Sequence, residues 1–178
     1  MIICEGPDGS GKTQLAKLIA ERYGLEYRRY PGLSSKSGPD GVGIVEWWDD
    51  QLARDEQAVY DRCFYISEPI YQLATAHRSL LVEGKKMALA TMALCNFQPL
   101  VIFCLPPWEV AIANIGQRDR LEGVDDKALE KIHFAYWAAY GIWANALWDS
   151  VVDWDYTRHP QDDFLSIVSD YIERSARV

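Results

Sequence analysis

Short apolar runs alternate along the chain with longer segments in which apolar residues recur every three or four positions. The short runs predict strands at Ile2–Glu5, Leu25–Tyr30, Ala58–Asp61, Leu100–Leu105 and Val151–Trp154. The longer segments predict helices at Lys12–Tyr23, Ile44–Arg54, Ser67–Leu80, Lys85–Cys95, Trp108–Ile115, Asp126–Trp148 and Gln161–Glu173. This alternation predicts an α/β fold, a parallel sheet with helices on both faces. We expect the 178 residues to form a single domain, 1–178.

One motif joins the first predicted strand to the first predicted helix and reads Gly6-Pro7-Asp8-Gly9-Ser10-Gly11-Lys12-Thr13. It matches the pattern G-x-x-x-x-G-K-[ST] of a phosphate-binding loop. In such a loop the backbone N–H groups face phosphate oxygens, Lys12 reaches the β- and γ-phosphates, and the Thr13 hydroxyl binds Mg²⁺. A turn rich in Gly and Ser would also explain the glycines, but the strand before and the helix after favour the loop. We therefore expect ATP or GTP to bind here, together with Mg²⁺.

The overall composition argues against non-specific binding to nucleic acid or membranes and favours a cytoplasmic protein. The net charge is −8 and the pI is near 4.9, which disfavours non-specific affinity for nucleic acid or anionic membranes. The longest apolar stretch, Met87–Leu105, is interrupted by polar residues and a proline, so we expect no membrane span. The four cysteines show no Cys-x-x-Cys spacing, which is typical of buried, reduced thiols in a cytoplasmic protein.

Charged residues follow the second and third predicted strands, at the sheet edge where ligands of parallel sheets collect. Asp61 is placed to hold a water bound to Mg²⁺, and the planar donors of Arg62 match the oxygens of an acceptor phosphate. The alternative is that Asp61 caps the next helix and Arg62 pairs with a surface carboxylate. Residue types alone favour that alternative, since most charged residues at element ends are solvated or capping.

A second charged segment, residues 116–126, contains Gly116 and Gly123 and is predicted to be a mobile lid. It offers Arg118 and Arg120, and closure would bring one of them onto the phosphates while water is excluded. The alternative is an exposed turn in which acidic neighbours pair both arginines.

Three segments of the chain, taken in order, resemble the thymidylate kinases. Residues 4–13 resemble their Glu-Gly-x-Asp-Gly-x-Gly-Lys opening. Arg29-Tyr30-Pro31-Gly32 is similar to their Arg-Glu-Pro-Gly segment, with Tyr30 in place of the glutamate. Residues 61–72 are similar to their Asp-Arg-Tyr…Ser…Ala-Tyr-Gln motif, with one additional residue between Asp61 and Ser67. The Glu68-Pro69 pair is closer to a phage-type branch, some of whose members are thought to phosphorylate 5-hydroxymethyluracil in viral DNA.

The resemblance implies a P-loop fold with five parallel strands and an arginine-bearing lid, and transfer of the ATP γ-phosphate to a deoxynucleoside monophosphate. It implies that Arg62 holds the 5′-phosphate of the acceptor and that Asp61 lies near Mg²⁺. Asp8 would face the transferred phosphoryl group, Tyr71 would pack against the deoxyribose, and Arg29 would lie near the phosphates. Because one of the lid arginines is implied to be catalytic, Arg118 and Arg120 are both candidates.

Recognition of the acceptor base requires a flat apolar surface and a few polar groups. Phe64 lies two positions after the Asp-Arg pair and is a candidate platform, as is Tyr71, while Gln72 is a candidate polar contact. Aromatic residues at helical spacing are more often core residues, so packing is the competing interpretation.

The predicted helix after the lid carries two apolar stripes. One should pack on the sheet. The second, formed by Trp137, Gly141, Ala144 and Trp148, is either a homodimer interface, as the resemblance implies, or buried within the monomer.

These observations predict a kinase that phosphorylates a thymidine- or uridine-type deoxynucleotide, most simply the free monophosphate. The alternatives are a kinase acting on 5-hydroxymethyluracil in DNA, a deoxynucleoside kinase, and a nucleotide-binding switch without catalytic activity.

Overall fold

In a computed structural model, the described residues are 1–29, 44–54, 57–75, 92, 94, 96–116, 125–147 and 150–176. Their strands form one parallel sheet in the order β2-β3-β1-β4-β5. The strands are β1 (Ile2–Glu5), β2 (Glu26–Arg29), β3 (Ala58–Asp61), β4 (Leu100–Cys104) and β5 (Val151–Trp154). The α/β fold with five parallel strands is confirmed. β2 begins one residue later than predicted, because the N–H of Leu25 bonds the Ala20 carbonyl at the end of the preceding helix.

The helices near the sheet largely have the predicted bounds. They are α1 (Lys12–Tyr23), α2 (Ile44–Ala53), α3 (Phe64–Thr75), α4 (Trp108–Gly116), α5 (Asp126–Leu147) and α6 (Gln161–Ser175). α3 begins three residues before the predicted start at Ser67, because the Cys63 carbonyl already accepts the N–H groups of Ile66 and Ser67. The predicted helix at residues 85–95 lies mostly outside the described residues, although residues 92 and 94 are helical.

Both faces of the sheet are covered, as predicted. Ile3 of β1 points into a core cluster that includes residues of α2, α3 and α5, while Ile2 and Cys4 point into a cluster with α1 and α6. Side chains alternate between the two faces along a strand, so one four-residue strand contributes to both clusters. Since strands buried on both faces have continuous apolar runs rather than alternating ones, this explains the sequence pattern of β1.

The carboxyl ends of β1 and β3 are neighbours at the centre of the sheet. Cys4 pairs with Asp61 in the parallel register, so the segment after β1 and the segment after β3 leave the sheet side by side. This register brings Arg62 next to residues 6–13, although the two segments lie far apart in the sequence. No described helix is both long and apolar enough to cross a membrane.

The cysteines in the described ranges are buried free thiols, as the sequence predicted. They are Cys4, Cys63 and Cys104. Burial raises the pKa of each thiol, so these groups stay protonated at neutral pH.

Candidate active site

Two glycines of the loop after β1 have a left-handed backbone conformation that favours glycine. Gly9 has φ 78° and Gly11, the N-cap of α1, has φ 82°, both in the left-handed region. A Cβ atom on Gly9 would lie 2.2 Å from the carbonyl oxygen of Ala111 in α4, and one on Gly6 would lie 2.5 Å from the carbonyl oxygen of Cys104. The loop is therefore held between the end of β4 and helix α4, with the N-terminus of α1 open beside it.

Lys12 folds back over this loop. Its Nζ atom donates to the carbonyl oxygen of Pro7 at 3.2 Å and to Oδ1 of Asp8 at 3.4 Å. Burial and the nearby charge of Arg62 lower the pKa of Lys12, while the Asp8 carboxylate opposes this shift. From this position the ammonium group of Lys12 could contact a phosphate bound by the N–H groups of the loop.

Asp61, at the end of β3, faces the first residues of α1. Its Oδ2 atom accepts hydrogen bonds from Thr13 Oγ1 at 2.8 Å and from the Tyr27 hydroxyl at 2.9 Å. Its Oδ1 atom is buried and has no hydrogen-bond partner in the described part of the chain. The carboxylate thus contacts Thr13 and is not a cap of α3, whose first residue is Phe64. Burial and the Asp61 carboxylate raise the pKa of Tyr27 to about 12, so its hydroxyl remains a donor.

The pair formed by Thr13 and Asp61 fits a magnesium ion. The Thr13 hydroxyl and the Asp61 carboxylate, whose buried Oδ1 atom has no hydrogen-bond partner in the described residues, are hard oxygen ligands of the type Mg²⁺ prefers. Within the described ranges, no three His, Cys, Asp or Glu side chains form a metal cage. That is compatible with Mg²⁺, which is usually bound by one or two carboxylates together with substrate phosphates and water.

Arg62 follows Asp61 and has an unusual backbone. Its φ is 79°, and its N–H donates to the Cys4 carbonyl at 3.0 Å. Nη2 donates to Asp8 Oδ1 at 2.6 Å and Nη1 donates to the Tyr136 hydroxyl at 2.6 Å. The guanidinium also lies over the Tyr71 ring, 5.4 Å from its centroid. The carboxylate partner of Arg62 is therefore Asp8 of the loop. The alternative, in which Arg62 pairs with a carboxylate on the surface, does not match this contact.

Glu5, the last residue of β1, was not identified as functional in the sequence. It is fully buried and accepts hydrogen bonds from the Cys63 N–H, from Ser67 Oγ at 2.9 Å and from the Tyr136 hydroxyl at 3.3 Å. Burial raises the pKa of Glu5, although Arg62 and the hydrogen bonds oppose this shift. The available signal was a single acidic residue that ends an otherwise apolar strand directly before the loop.

The remaining candidate acceptor residues differ in how far they are buried. Phe64 is fully buried in the core and has no exposed surface to offer a base, so its predicted role as a platform is replaced by packing. Tyr71 is half-buried beside Arg62, and Gln72 is exposed on α3. Arg29 is exposed and pairs with Asp61 in the register of β2 and β3, which places it near the loop.

The predicted lid lies almost entirely outside the described residues, and with it Arg118 and Arg120. The described elements on either side of it are α4 and α5. α4 packs directly on the loop, since Gly9 faces Ala111. The lid segment therefore starts from a helix that touches the phosphate-binding loop.

A cavity of about 530 Å³ opens on the outer side of the loop. Besides loop and α1 residues, its lining includes Asn114, Trp154, Tyr156, His159 and Gln161. Asn114 Nδ2 donates to the Gly9 carbonyl at 2.9 Å and to the Tyr156 hydroxyl at 2.7 Å. The cavity has aromatic walls and polar groups, and its position next to the loop suits the base and sugar of a nucleotide. Sequence analysis missed these residues because they come from separate parts of the chain: α4, the end of β5, the segment after β5 and the start of α6.

Helix α5 buries one apolar stripe and exposes part of the other. Ile132 and Tyr136 are buried, whereas Trp137 is 41% exposed and its neighbours Phe134 and Ile142 are 58% and 68% exposed. The alternative in which the second stripe is buried within the monomer is thus wrong for Trp137, while residue 148 lies outside the described residues. A homodimer through this face stays a prediction.

Solved structures with the same fold span nearly the whole chain. The YorR protein from Bacillus subtilis, in complex with phosphorylated GDP, is 18% identical with a TM-score of 0.71, over 99% of this chain and 98% of YorR. Deoxyadenosine kinase from M. mycoides with bound dATP is 16% identical with a TM-score of 0.63, over 96% and 97% of the two chains. The same enzyme with bound dCTP has a TM-score of 0.58 and 16% identity, over 98% and 100%.

No protein-family model matches the sequence, and no curated protein matches it either. At the identities given above, structural similarity shows the fold alone, and that fold is the one of P-loop kinases. Neither the name YorR nor the name deoxyadenosine kinase refers to a thymidylate kinase, so the narrower resemblance remains a prediction.

Proposed function

We propose that this protein is an ATP- and Mg²⁺-dependent kinase that phosphorylates a deoxynucleotide, most simply a deoxynucleoside monophosphate of the thymidine or uridine type. One observation carries the proposal: Lys12 of the loop and Arg62 after β3 both donate to the same carboxylate oxygen, Oδ1 of Asp8. Two cations from two different segments converge on one anionic oxygen. Transfer of a phosphoryl group from a donor to an acceptor requires such a pair, because negative charge must be neutralised on both sides of the moving group.

In this proposal the two cations have different tasks. The loop amides and Lys12 bind the β- and γ-phosphates of ATP, and Arg62 binds the phosphate of the acceptor. An oxygen of the acceptor phosphate attacks the γ-phosphorus in line, the bond from that phosphorus to the β–γ bridging oxygen breaks, and ADP leaves. The enzyme contributes mainly orientation and charge, since little covalent chemistry is required of it.

Thr13 and Asp61 would hold Mg²⁺, which neutralises negative charge on the β- and γ-phosphates when it is bound. The lid arginines, Arg118 and Arg120, would close over the phosphates and exclude water, which suppresses ATP hydrolysis. The cavity beside Asn114 and Tyr156 would accommodate the base of ATP.

The nature of the acceptor rests on fewer observations. Tyr71 beside Arg62 suits a deoxyribose next to a bound phosphate, and Gln72 and Arg29 are exposed. The thymidine or uridine type comes from the sequence resemblance alone. A deoxynucleoside kinase is the second candidate, because deoxyadenosine kinase from M. mycoides shares the fold over nearly the whole chain. A kinase for 5-hydroxymethyluracil in DNA is a third, disfavoured by the net charge of −8.

The test is ATP consumption by the purified protein with a panel of acceptors and with Mg²⁺. The panel contains dTMP, dUMP, dCMP, 5-hydroxymethyl-dUMP, thymidine, deoxyadenosine, and DNA with or without 5-hydroxymethyluracil. We expect turnover with at least one free monophosphate. Turnover only with nucleosides or only with the modified DNA would replace the proposed acceptor. Tight ATP binding without turnover on any acceptor would contradict the kinase and favour a nucleotide-dependent switch.

Arg62→Ala tests the acceptor site within the active enzyme. We expect the KM for the acceptor to rise about 100-fold while the KM for ATP changes little, because charge-assisted contacts to phosphate contribute up to about 3 kcal/mol. Equal increases in both KM values would remove the assignment of Arg62 to the acceptor.

A further inference from the structure

We propose that Glu5 and Tyr136 are positioning residues that orient Arg62 toward the phosphate of the acceptor. The inference rests on the proposed function, since it assumes that Arg62 binds that phosphate. Neither residue is expected to touch the substrate. Glu5 is completely buried, and so is Tyr136, and both act on the guanidinium through hydrogen bonds.

The backbone at Arg62 is the first part of this arrangement. A left-handed φ of 79° is unfavourable for a residue with a Cβ atom, so surrounding contacts must hold it. The N–H of Arg62 bonds the Cys4 carbonyl, and the next N–H, of Cys63, bonds the carboxylate of Glu5. Two consecutive residues of β1 therefore fix the turn from which the Arg62 side chain projects.

The side chain of Arg62 is held by hydrogen bonds that lead through Tyr136 to Glu5. A guanidinium only donates, so the Tyr136 oxygen must accept from Nη1 at 2.6 Å. The proton of Tyr136 then faces Glu5 Oε2 at 3.3 Å or Ser67 Oγ at 3.1 Å, and Ser67 Oγ itself lies 2.9 Å from Glu5 Oε2. When Glu5 is ionised its carboxylate only accepts, so Glu5 then ends the chain of hydrogen bonds.

The two contacts of the guanidinium differ in how readily a substrate can replace them. Tyr136 is buried on α5 and is linked to Glu5, whereas the side chain of Asp8 is 33% exposed in the loop. An incoming phosphate can take the position of Asp8 at Nη2, while Tyr136 keeps Nη1 in place. Arg62 thus meets the acceptor with its orientation already fixed, which lowers the entropic cost of binding.

Tyr136→Phe is the decisive variant, and Tyr140→Phe on the same helix is its matched control. Phenylalanine keeps the ring in the core and removes only the hydroxyl. The Tyr140 hydroxyl donates to Asp153 at 3.0 Å, away from Arg62. We expect Tyr136→Phe to raise the KM of the acceptor about tenfold and to leave the KM of ATP within about twofold. Tyr140→Phe should change neither constant. An unchanged acceptor KM in Tyr136→Phe, or a matching increase for ATP, would overturn the proposal.

A double variant separates orientation of Arg62 from a general effect on folding. If Tyr136 acts through Arg62, adding Tyr136→Phe to Arg62→Ala should leave the acceptor KM where Arg62→Ala alone puts it. Additive increases would show that Tyr136 acts by another route. Should Tyr136→Phe fail to fold, Ser67→Ala removes the neighbouring hydroxyl, and we expect an increase of about threefold in acceptor KM alone; no increase would overturn the proposal.

These outcomes also distinguish this inference from the proposed function. If Arg62→Ala raises the acceptor KM and Tyr136→Phe does not, the acceptor site stands and the positioning role is wrong. If Arg62→Ala leaves the acceptor KM unchanged, the acceptor site itself is wrong, and the positioning role falls with it.

Discussion

The two halves of the candidate active site are built in different ways. The donor half is one contiguous segment, residues 6–13, whose glycine conformations allow close backbone approach between β4 and α4. The acceptor half brings together four side chains from three separate parts of the chain: Glu5, then Arg62 and Ser67, and Tyr136. Backbone N–H groups bind any phosphate in the same way, whereas a side-chain network can be changed one residue at a time. We therefore expect the donor half to tolerate few substitutions and the acceptor half to determine substrate choice.

Lys12→Ala should have the largest effect, because it removes the only cation that the loop itself contributes. We expect turnover to fall by about 10³-fold while the protein stays folded, since transition-state donors of this kind contribute that much. The measurement is kcat at saturating ATP and acceptor. Lys127→Ala, at an exposed position of α5, serves as the charge-matched control and should retain full activity. A Lys12→Ala enzyme with kcat within tenfold of wild type would contradict the assignment of the donor half.

Gly9→Ala tests whether the donor half depends on close backbone approach. The control is Gly24→Ala, since Gly24 also has a positive φ, 65°, but its Cβ would meet nothing within 4 Å. The control should lose about 1 kcal/mol of unfolding free energy from backbone strain alone. Gly9→Ala should lose about 1–3 kcal/mol more, because its Cβ would lie 2.2 Å from the Ala111 carbonyl, and it should bind ATP poorly.

Denaturant unfolding measures the free energy of unfolding of the two glycine variants, and ATP titration measures their affinity for ATP. Similar losses of stability and normal ATP binding in the two variants would show that α4 does not constrain the loop.

Asn114→Ala should affect the donor half without disturbing the acceptor half. The substitution removes the hydrogen bonds from Asn114 Nδ2 to the Gly9 carbonyl and to the Tyr156 hydroxyl. We expect the KM of ATP to rise about tenfold, corresponding to one or two lost hydrogen bonds, and the acceptor KM to stay constant. Glu109→Ala, at an exposed position of the same helix, is the control. An increase in acceptor KM would mean that the two halves are not independent.

The smallest expected effect is on the pH dependence of stability, to which the acidic residues Glu5 and Asp8 should contribute in opposite directions. Burial raises the pKa of Glu5, so the folded state binds this proton more tightly than the unfolded state. Its contribution to stability is complete below its unfolded pKa, about 4.3, and is lost as pH rises through the folded value. Burial also acts to raise the pKa of Asp8, but Arg62 and Lys12 outweigh it and hold that pKa below its usual value. The contribution of Asp8 is therefore present above its unfolded pKa and is lost as pH falls.

Thermal unfolding between about pH 3 and pH 8 tests this difference with Glu5→Gln and Asp8→Asn. Relative to wild type, Glu5→Gln should gain stability as pH rises from about 4. Asp8→Asn should be less stable than wild type at neutral pH, and the difference should shrink as pH falls below about 4. Parallel pH profiles of the two variants would contradict the opposite shifts.

How much could be predicted from the sequence differs between the same two halves. The bounds of β1 and α1 and the loop between them were predicted correctly, because a buried strand, a glycine motif and an amphipathic helix are all local patterns. Phe64 was interpreted as a base platform because it follows Arg62, but α3 turns its ring into the core. Glu5 was given no role although it is the first residue of the motif in residues 4–13, and Asn114 was missed because a single polar residue in a helix carries no motif.

The sequence by itself determined the alternation of strands and helices and the phosphate-binding loop, since both depend on neighbours within about ten residues. Only the tertiary structure decided which distant side chains meet. The parallel pairing of β1 with β3 brings Arg62 to Asp8, and the packing of α3 and α5 brings Ser67 and Tyr136 to Glu5. The physical reason is that strand order and helix packing come from burial of apolar surface summed over the whole chain, which no local pattern specifies.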